Sequence, residues 1–313
     1  MRSRTGREGM RGLGTAALAG ALAFCLAGAA RAVDEPTYVG ASTCIACHSD
    51  KAEQFKQSMH GKRLPVVKGI DFEKSCETCH GPGSLHAAAA GDRSNPGFAT
   101  IIDPLKLPPA EQSKFCLNCH KQQEVMYWNI GPHAANGLSC LTCHSVHQGH
   151  GPRNLKVENS NEYLAETETC LKCHKTKKLG MNLPSHHPVM EGKMSCASCH
   201  NPHGGESGNI RAGSVPELCG KCHAEKLGPF AYEHPPVTEN CLNCHDPHGS
   251  INDRMLKQAL PFLCLQCHKF PHTGTVNNAN AYTSSALLLQ RGRCVNCHRE
   301  IHGSDRHMRF IPH

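Results

Sequence analysis

Ten copies of one five-residue unit carry most of the chemistry that this chain can do. Each copy reads Cys-x-x-Cys-His, and together they use 20 of the 21 cysteines in the 313 residues. The cysteines are Cys44, Cys47, Cys76, Cys79, Cys116, Cys119, Cys140, Cys143, Cys170, Cys173, Cys196, Cys199, Cys219, Cys222, Cys241, Cys244, Cys264, Cys267, Cys294 and Cys297. The closing histidines are His48, His80, His120, His144, His174, His200, His223, His245, His268 and His298.

This spacing is typical of covalent haem attachment. Two thiols three positions apart can form thioethers to the two vinyl groups of one haem, and the imidazole that follows can bind the iron as proximal ligand. A CxxC pair could also be half of a zinc site or a redox dithiol, and twenty cysteines in an exported protein could form disulfides. None of these alternatives needs a histidine directly after the second cysteine, yet one follows in all ten copies. The pattern therefore predicts ten haem c groups.

The first 32 residues have the pattern of a cleaved signal peptide. Four arginines lie within the first eleven positions, an apolar run covers residues 13–30, and Ala30-Arg31-Ala32 is a small-x-small cleavage signal. Cleavage after Ala32 would remove Cys25, the one cysteine outside the motifs. A retained membrane anchor is the alternative. Export agrees with the chemistry, because haem is attached to c-type cytochromes outside the cytoplasm.

Few residues are available to position each motif. The 281 residues that would remain after cleavage leave about 28 per haem, and aromatic residues make up only 5% of the chain. We therefore expect a multihaem cytochrome c fold: short α-helices and loops wrapped around a line of ten haems, with little or no β-structure. The predicted helices are one capped by Ser42 that runs on through Gln57, a short one that follows Pro108–Glu111 and leads into Cys116, one with a capping box at Ser214–Glu217 before Cys219, and one over Ser284–Gln290.

The basic composition does not indicate a nucleic-acid surface. The formal net charge is +7, and residues 1–32 contribute five arginines and one glutamate to it. Each haem would add two propionates, so the loaded protein would be anionic. Lysines and arginines are then better explained as partners of propionates, and no nucleic-acid partner is expected.

The motifs alternate between two types, which predicts five di-haem repeats. From the third onward the odd motifs are mostly followed by lysine, as in CLNCHK and CLKCHK, whereas the even ones continue to a further histidine, as in CASCHNPHG and CLNCHDPHG. We expect two pentahaem halves, residues 33–174 and 175–313, after the signal peptide 1–32.

Ten further histidines match these repeats as distal ligands. In each repeat one histidine precedes the even motif and one follows it. The predicted distal ligands are His60, His86, His133, His147, His187, His203, His234, His248, His272 and His302. His150, His186, His307 and His313 are left without an assigned role. Methionine is the other possible axial ligand, but the methionines have no fixed offset from the motifs. The sequence does not say which distal histidine serves which haem.

The chain resembles the MtrA/DmsE-type periplasmic decahaem c-type cytochromes. The resemblance rests on the motif count, the segments His200–Gly204 and His245–Gly249, and the ending from Cys294 through His302. It implies a staggered line of ten bis-histidine haems that inserts into an outer-membrane β-barrel porin. It also implies a periplasmic or inner-membrane cytochrome as electron donor or acceptor, an extracellular multihaem cytochrome as a further partner, and a periplasmic location at the outer membrane.

We therefore expect an electron-transfer protein of a transmembrane conduit, used in metal reduction or Fe(II) oxidation. A soluble periplasmic shuttle to a terminal reductase is the main alternative, and a multihaem reductase is the third. No open iron site is expected, because all ten motifs end in histidine and distal histidines are plentiful. An inner-membrane quinol dehydrogenase would need the N-terminal segment retained. The direction of electron flow, the haem potentials and the terminal partner stay open.

Overall fold

A computed structural model describes residues 35–147, 152–268 and 293–312. The predicted signal peptide, Cys25 and the predicted helix Ser284–Gln290 lie outside these residues. Pro36–His313 forms one compact unit. The division into two pentahaem halves stays a prediction.

Short helices joined by loops make up most of the described chain, as expected for a chain in which each motif needs only one helical turn. The α-helices are α1 (Ala41–Gln57), α2 (Met59–Lys68), α3 (Phe72–His80), α4 (Ser84–Ala88), α5 (Pro109–Leu117), α6 (Pro132–Ala135), α7 (Cys140–Cys143), α8 (Glu162–Leu171), α9 (Lys175–Gly180), α10 (Val215–Gly220), α11 (Pro235–Glu239) and α12 (Phe262–Leu265). Single 3₁₀ turns lie between them, and three of these turns carry motifs: Cys196–Ser198, Cys241–Asn243 and Cys294–Asn296.

Helix α1 matches the predicted helix in its end at Gln57, but its cap differs from the prediction. The N-cap residue is Gly40, and Ser42 lies inside the first turn. Two carboxylates of α3 take the place of a local cap: Glu73 accepts from the backbone N–H of Ser42 at 3.0 Å, and Glu77 accepts from that of Gly40 at 2.9 Å. An orphaned helix N-terminus can be satisfied by any nearby acceptor, so a cap supplied from 31 residues away leaves no local sequence signal.

The other described helix starts are close to the predictions. Helix α5 runs into Cys116, and Ser214 caps α10 by accepting from the backbone N–H of Glu217 at 3.2 Å. The capping box is displaced by one residue, because the Glu217 carboxylate accepts from the N–H of Gly213 instead of Ser214.

Within the described residues, strands occur only as one antiparallel hairpin, β1 (His200–Gly205) with β2 (Gly208–Ile210). This agrees with the expectation of little β-structure. Single bridges repeat the same geometry elsewhere, joining His144 to Leu155 and His245 to Leu256. In each case the chain after an even motif folds back and pairs with the motif's own histidine.

The apolar core of the polypeptide is small. The described buried cluster contains Leu155, Val157 and Ala165, with Cys143 packed against it. A chain of this length normally buries a far larger core. Most of the apolar mass that would hold the fold together must therefore come from outside the polypeptide. None of the described helices combines the length and the apolar character that crossing a membrane requires.

Candidate functional site

Each described motif is built on a single helical turn. In seven motifs the backbone N–H of the closing histidine donates to the carbonyl of the first cysteine, at 2.9 to 3.1 Å. The first two motifs lie inside α1 and α3. Positions i, i+3 and i+4 share one face of a helical turn, so the two thiols and the imidazole point to the same side.

Polar residues around the cysteines start these turns in the even motifs. Ser139 and Ser195 precede the first cysteine, and their backbone N–H groups donate to Thr142 Oγ1 at 3.1 Å and Ser198 Oγ at 3.0 Å. These reciprocal capping boxes explain the Ser-Cys-x-Thr/Ser-Cys pattern. At the eighth motif Asn240 has the same role, accepting from the N–H of Leu242 at 2.9 Å.

Nine motif histidines face a second histidine. The ring centroids of the two partners stand 6.0 to 6.3 Å apart in every pair. The pairs are His48–His86, His80–His147, His120–His60, His144–His203, His174–His133, His200–His248, His223–His187, His245–His302 and His268–His234. Each second histidine is one that the repeat pattern selected as a distal ligand. His272 lies outside the described residues.

The pairs follow a rule that the sequence did not reveal. An odd motif faces the histidine that precedes the even motif before it, as His223 of the seventh motif faces His187. An even motif faces the histidine that follows the next even motif, as His200 of the sixth faces His248. The first motif differs, since His48 faces His86, which follows the second motif. Histidine pairs therefore bridge neighbouring repeats.

The histidines without an assigned role lie elsewhere or have other contacts. His186 is bound to the Glu191 carboxylate at 2.9 Å, which together with the carbonyl of Leu183 raises its pKa. The backbone N–H of Arg309 donates to Nδ1 of His307. His150 and His313 lie outside the described residues.

Backbone carbonyls orient many of the facing rings. Nδ1 of His187 donates to the carbonyl of Pro247 at 3.0 Å, and Nδ1 of His133 donates to that of Pro202 at 2.8 Å. A carbonyl can only accept, so the proton is on Nδ1 and the lone pair of Nε2 is free. Such partners fix the tautomer and the ring orientation of metal-binding histidines. These carbonyls cannot be identified from the sequence, because a backbone acceptor leaves no side-chain signal.

Two of these carbonyls belong to residues in the left-handed backbone region. Arg153 and Arg254 have φ of 56° and 57°, and they accept from Nδ1 of His144 at 3.1 Å and of His245 at 2.8 Å. Non-glycine residues rarely adopt this conformation, and where they do, a functional constraint is a common reason.

Glycines in the repeats allow the backbones of neighbouring repeats to meet. At Gly249, where φ is +126°, an added Cβ would lie 2.0 Å from the carbonyl oxygen of Gly180. The next residue, Ser250, forms a two-way backbone bridge with Ser185, at 2.8 and 3.1 Å. Each Pro-His-Gly segment therefore has two roles. Its histidine faces a histidine of the preceding repeat, and its glycine allows close packing against the backbone of that repeat.

Cysteines of successive motifs lie side by side along the whole chain. Burial and the neighbouring Cys76 raise the pKa of Cys44, and a hydrogen bond between Cys116 and Cys140 raises the pKa of the first and lowers that of the second to about 6. Within each repeat the two first cysteines are hydrogen-bonded. Between repeats the second cysteines are close enough for the charge of one to raise the pKa of the other. The pairs are Cys44–Cys76, Cys79–Cys119, Cys116–Cys140, Cys143–Cys173, Cys170–Cys196, Cys199–Cys222, Cys219–Cys241, Cys244–Cys267 and Cys264–Cys294.

Burial keeps many of the facing histidines neutral. It lowers the pKa of His203 to about 4, with a further contribution from His144. It also lowers the pKa of His60, His144, His147, His248 and His302. A neutral imidazole keeps the lone pair that binding to a metal requires.

Two carboxylates, the buried Glu166 and the exposed Glu124, join the motifs to one another. Glu166 lies four residues before Cys170, and its carboxylate accepts from Ser195, directly before Cys196, and from Arg153 at 2.9 Å. Glu124 forms a two-point ion pair with Arg211 at 2.5 and 3.0 Å, and Arg211 also donates to the carbonyl of His200 at 3.0 Å. Neither glutamate was selected from the sequence.

The residues fit a haem between each facing pair. Metal–imidazole bonds are about 2 Å long, and with a ring centre roughly 1 Å beyond each nitrogen, two rings on opposite faces of one iron stand about 6 Å apart. The observed separations agree with this spacing. Where the chain is described, its cysteines are free, and no cluster of three or more His, Cys, Asp or Glu side chains is arranged to hold another metal ion.

Comparison with known proteins gives a consistent result. The family of doubled CXXCH motifs matches residues 186–228 and 234–272. A multihaem cytochrome MtrA from Shewanella baltica (strain OS185) is 37% identical over 284 residues, which cover 85% of this chain and 79% of that protein. A dissimilatory sulfite reductase MccA from Wolinella succinogenes is 25% identical over 201 residues, 51% of this chain but only 27% of the relative. The chain therefore belongs to the MtrA family of multihaem c-type cytochromes, which bind haem c and transfer electrons.

Proposed function

We propose that this protein is a decahaem wire, in which ten bis-histidine haems carry electrons in single file along five di-haem repeats. Each haem would supply one-electron chemistry as its iron passes between the ferric and ferrous states. The chain would hold each haem with two thioethers and two imidazoles. Its tenth distal ligand would be His272.

The proximity of successive motifs carries this proposal. The first cysteines of each repeat are hydrogen-bonded, from Cys44–Cys76 to Cys264–Cys294, and the second cysteines of neighbouring repeats are close enough to interact electrostatically. The cysteines hold the vinyl edges of the haems, so neighbouring cysteines imply neighbouring macrocycles. An electron would then need only short steps, in the order of the sequence.

The histidine pairs support filled axial positions. His/His ligation gives a lower potential than Met/His ligation, and it leaves no open site in the resting protein. Low potential suits a carrier that exchanges electrons with other low-potential cytochromes, and closed iron sites suit a protein that does not act on a substrate.

A His248→Ala substitution tests the ligation. The haem attached at Cys196 and Cys199 should become high spin while staying covalently bound. Electronic absorption and EPR spectra of the oxidised protein report the spin state, and the intact mass reports haem retention. His186→Ala is the matched control, since that ring binds Glu191 and should leave the spectra unchanged. An all-low-spin His248→Ala variant would refute the assignment.

We also place the wire in a conduit across the outer membrane, with the protein in the periplasm. Its partners would be a β-barrel porin, a periplasmic or inner-membrane cytochrome and an extracellular multihaem cytochrome. A hydrocarbon core is about 30 Å thick, so electrons could cross it only inside an insulating barrel. Similarity to a multihaem cytochrome MtrA over 85% of the chain supports this assignment.

A mild-detergent pull-down of the tagged protein tests the conduit. Outer-membrane and periplasmic fractions are compared, and copurifying proteins are identified by mass spectrometry. A barrel protein in stoichiometric amount is the expected result. A monomer confined to the periplasmic fraction would overturn the conduit and favour a soluble shuttle.

A further inference from the structure

One facing pair lacks the hydrogen bond that orients the others. In seven of the eight other described pairs, at least one ring has Nδ1 within 2.7 to 3.1 Å of a backbone carbonyl oxygen, and in the remaining pair Nδ1 of His248 lies 3.4 Å from the Asp246 carboxylate. For the pair of His120 with His60, no such contact occurs among the described residues. Within the described residues, Nδ1 of His60 is buried without a hydrogen-bond partner; Nδ1 of His200 and His203 are too, but each of those rings faces a histidine whose Nδ1 has a contact.

The ring planes of this pair also differ from the rest. The rings of His60 and His120 are 77° apart, close to perpendicular. In the other eight described pairs the rings lie 7° to 53° apart, and those of the fourth, sixth and eighth motifs are within 7° to 19° of parallel. A hydrogen bond at Nδ1 restricts the orientation of an imidazole ring. The missing Nδ1 partner is therefore consistent with the near-perpendicular ring planes of this pair.

The element that carries His60 is weakly attached. Helix α2 has no buried residue, and Val66 and Val67 are 79% and 66% exposed. Few buried contacts mean that local opening needs little free energy. The equivalent histidine of a later repeat, His187, is held by the Pro247 carbonyl and lies two residues from the bridge between Ser185 and Ser250.

These observations predict a weaker bond from His60 to iron. A hydrogen-bond partner at Nδ1 makes the imidazole a better donor, and loss of such a partner typically lowers metal affinity 10- to 100-fold, as a rough guide. His60 combines that loss with a helix that buries no residue, whereas His203, whose Nδ1 is also unpartnered, lies on strand β1 and is held by its pairing with β2.

We propose that His60 is a displaceable ligand and that the His120–His60 site can bind a small neutral diatomic molecule, carbon monoxide or nitric oxide, in its place. The inference rests on the proposed ligation of a haem between these two rings. In the exchange, His60 leaves with its lone pair and the diatomic donates its own. With carbon monoxide the iron would stay ferrous, and with nitric oxide the one extra electron would be shared between iron and ligand, so no other reactant would be needed.

Carbon monoxide uptake by the dithionite-reduced holoprotein tests the proposal without any substitution. The wild-type protein should bind one carbon monoxide per ten haems at low gas concentration, as measured by Soret difference spectra and the infrared C–O stretch. An absence of uptake would overturn the proposal.

Two variants then identify the site. His60→Ala should still bind one carbon monoxide, because the substitution opens a site that is already available, and binding should be faster. His187→Ala, the matched control, opens an anchored site and should bind two. If His60→Ala binds two, the wild-type site lies elsewhere and the proposal is wrong. A His60→Ala protein that stays fully low spin at rest would instead refute the proposed ligation.

A second readout needs only the oxidised wild-type protein. Low-spin ferric haems with crossed imidazole planes give a distinctive large-g EPR signal, separate from those with parallel planes. Nitric oxide should remove the signal of the crossed site first. Uniform loss across all signals, or loss of the parallel-plane signals alone, would contradict assignment to His60.

Discussion

The N-terminal region, residues 41–120, and the C-terminal repeats, residues 182–268, bring histidines to the same separation by different means. In the first region His60 lies on α2 and faces His120 at 6.0 Å. In the repeats His187 precedes a 3₁₀ turn and faces His223 at 6.3 Å. Helices position the ligands in one region, and contacts between neighbouring repeats do so in the other.

The two regions differ in where the stabilising contacts come from: the same repeat in the first region, and the following repeat in the second. Helix α1, 17 residues long, is held at its N-terminus by two carboxylates of α3, within the same repeat. In the later repeats, His187 is oriented by a carbonyl of the following repeat, and that repeat docks through Gly249. Damage to a later repeat should therefore spread to its neighbour, whereas damage to the first motif should stay local, because His48 faces His86 within the same repeat.

Loss of a haem-attachment cysteine should show this contrast most strongly. Cys267→Ala lies in the ninth motif, beside Cys244 of the eighth, and His268 faces His234 across repeats. We expect it to abolish accumulation of the protein. Cys47→Ala, on α1, should leave a product that lacks one haem. Intact mass and haem-stained gels of periplasmic extracts distinguish the two, and a stable, fully loaded Cys267→Ala protein would contradict the attachment itself.

Closing the space at a repeat junction should have the next largest effect. Gly249→Ala places a Cβ 2.0 Å from a backbone oxygen and requires φ of +126° from a residue that disfavours it. We expect a loss of about 3 kcal/mol or more in the free energy of unfolding. Gly69→Ala is the control, because its φ is +62° and nothing lies within 4 Å, so it should cost about 1 kcal/mol. Guanidinium titrations of the holoprotein compare them, and equal midpoints would refute docking at Gly249.

The sequence was sufficient for the features that depend on local spacing. The CxxCH turns and the cap at Ser214 rest on residues within five positions of one another, so periodicity and side-chain type identify them. The haem c family and the predominance of helix and loop also followed from the motifs. The role of each distal histidine as a ligand stays a prediction, although nine of the selected rings face a motif histidine.

The features that sequence could not predict depend on distance along the chain. The cap of α1 comes from Glu73 and Glu77, and the carbonyl that orients His187 comes from 60 residues away. Every residue has a backbone carbonyl, so an acceptor of this kind cannot be recognised from residue type. Contacts between neighbouring repeats also have no fixed spacing in the sequence. The glycine of each Pro-His-Gly segment is visible in the sequence. Its role in docking became clear only from the positive φ and the close backbone contact at Gly249.

A substitution in the two α3 carboxylates that cap α1 tests whether destabilisation of the N-terminal region stays confined to it. Glu77 is buried and accepts from the backbone N–H groups of Val39, Gly40 and Gly83. Glu77→Gln should cost about 2 kcal/mol, typical of charge-assisted hydrogen bonds. Glu73→Gln, the matched control on the same helix, should cost less because its contact is exposed. In the Glu77→Gln variant, the denaturation midpoint of the first haem should fall, while the midpoints of the later haems should stay unchanged.

The pH dependence gives a second check on Glu77. Burial opposes ionisation of this carboxyl, but the three N–H donors outweigh it and lower its pKa. A carboxyl with a depressed folded pKa stabilises the fold above its unfolded pKa of about 4.3 and loses that contribution as pH falls through the folded value. The difference between wild type and Glu77→Gln should therefore be constant at neutral pH and shrink below about pH 4. A difference that grows in acid would contradict this account.

The smallest effect is expected at the ion pair between Glu124, just after the N-terminal region, and Arg211 of the C-terminal repeats. Glu124, in the turn after the third motif, binds Arg211, just after β2, with side chains 48% and 25% exposed. Because exposed pairs contribute little, Glu124→Gln should lower stability by at most about 1 kcal/mol. The effect should vanish in 1 M salt, where the Debye length is about 3 Å. Glu206→Gln removes an exposed carboxylate bound to Tyr127 and should show no salt-dependent change. If the Glu124 effect persisted in high salt, the contact would act through its hydrogen bonds rather than its charge, and the two regions would be joined more rigidly than surface electrostatics allows.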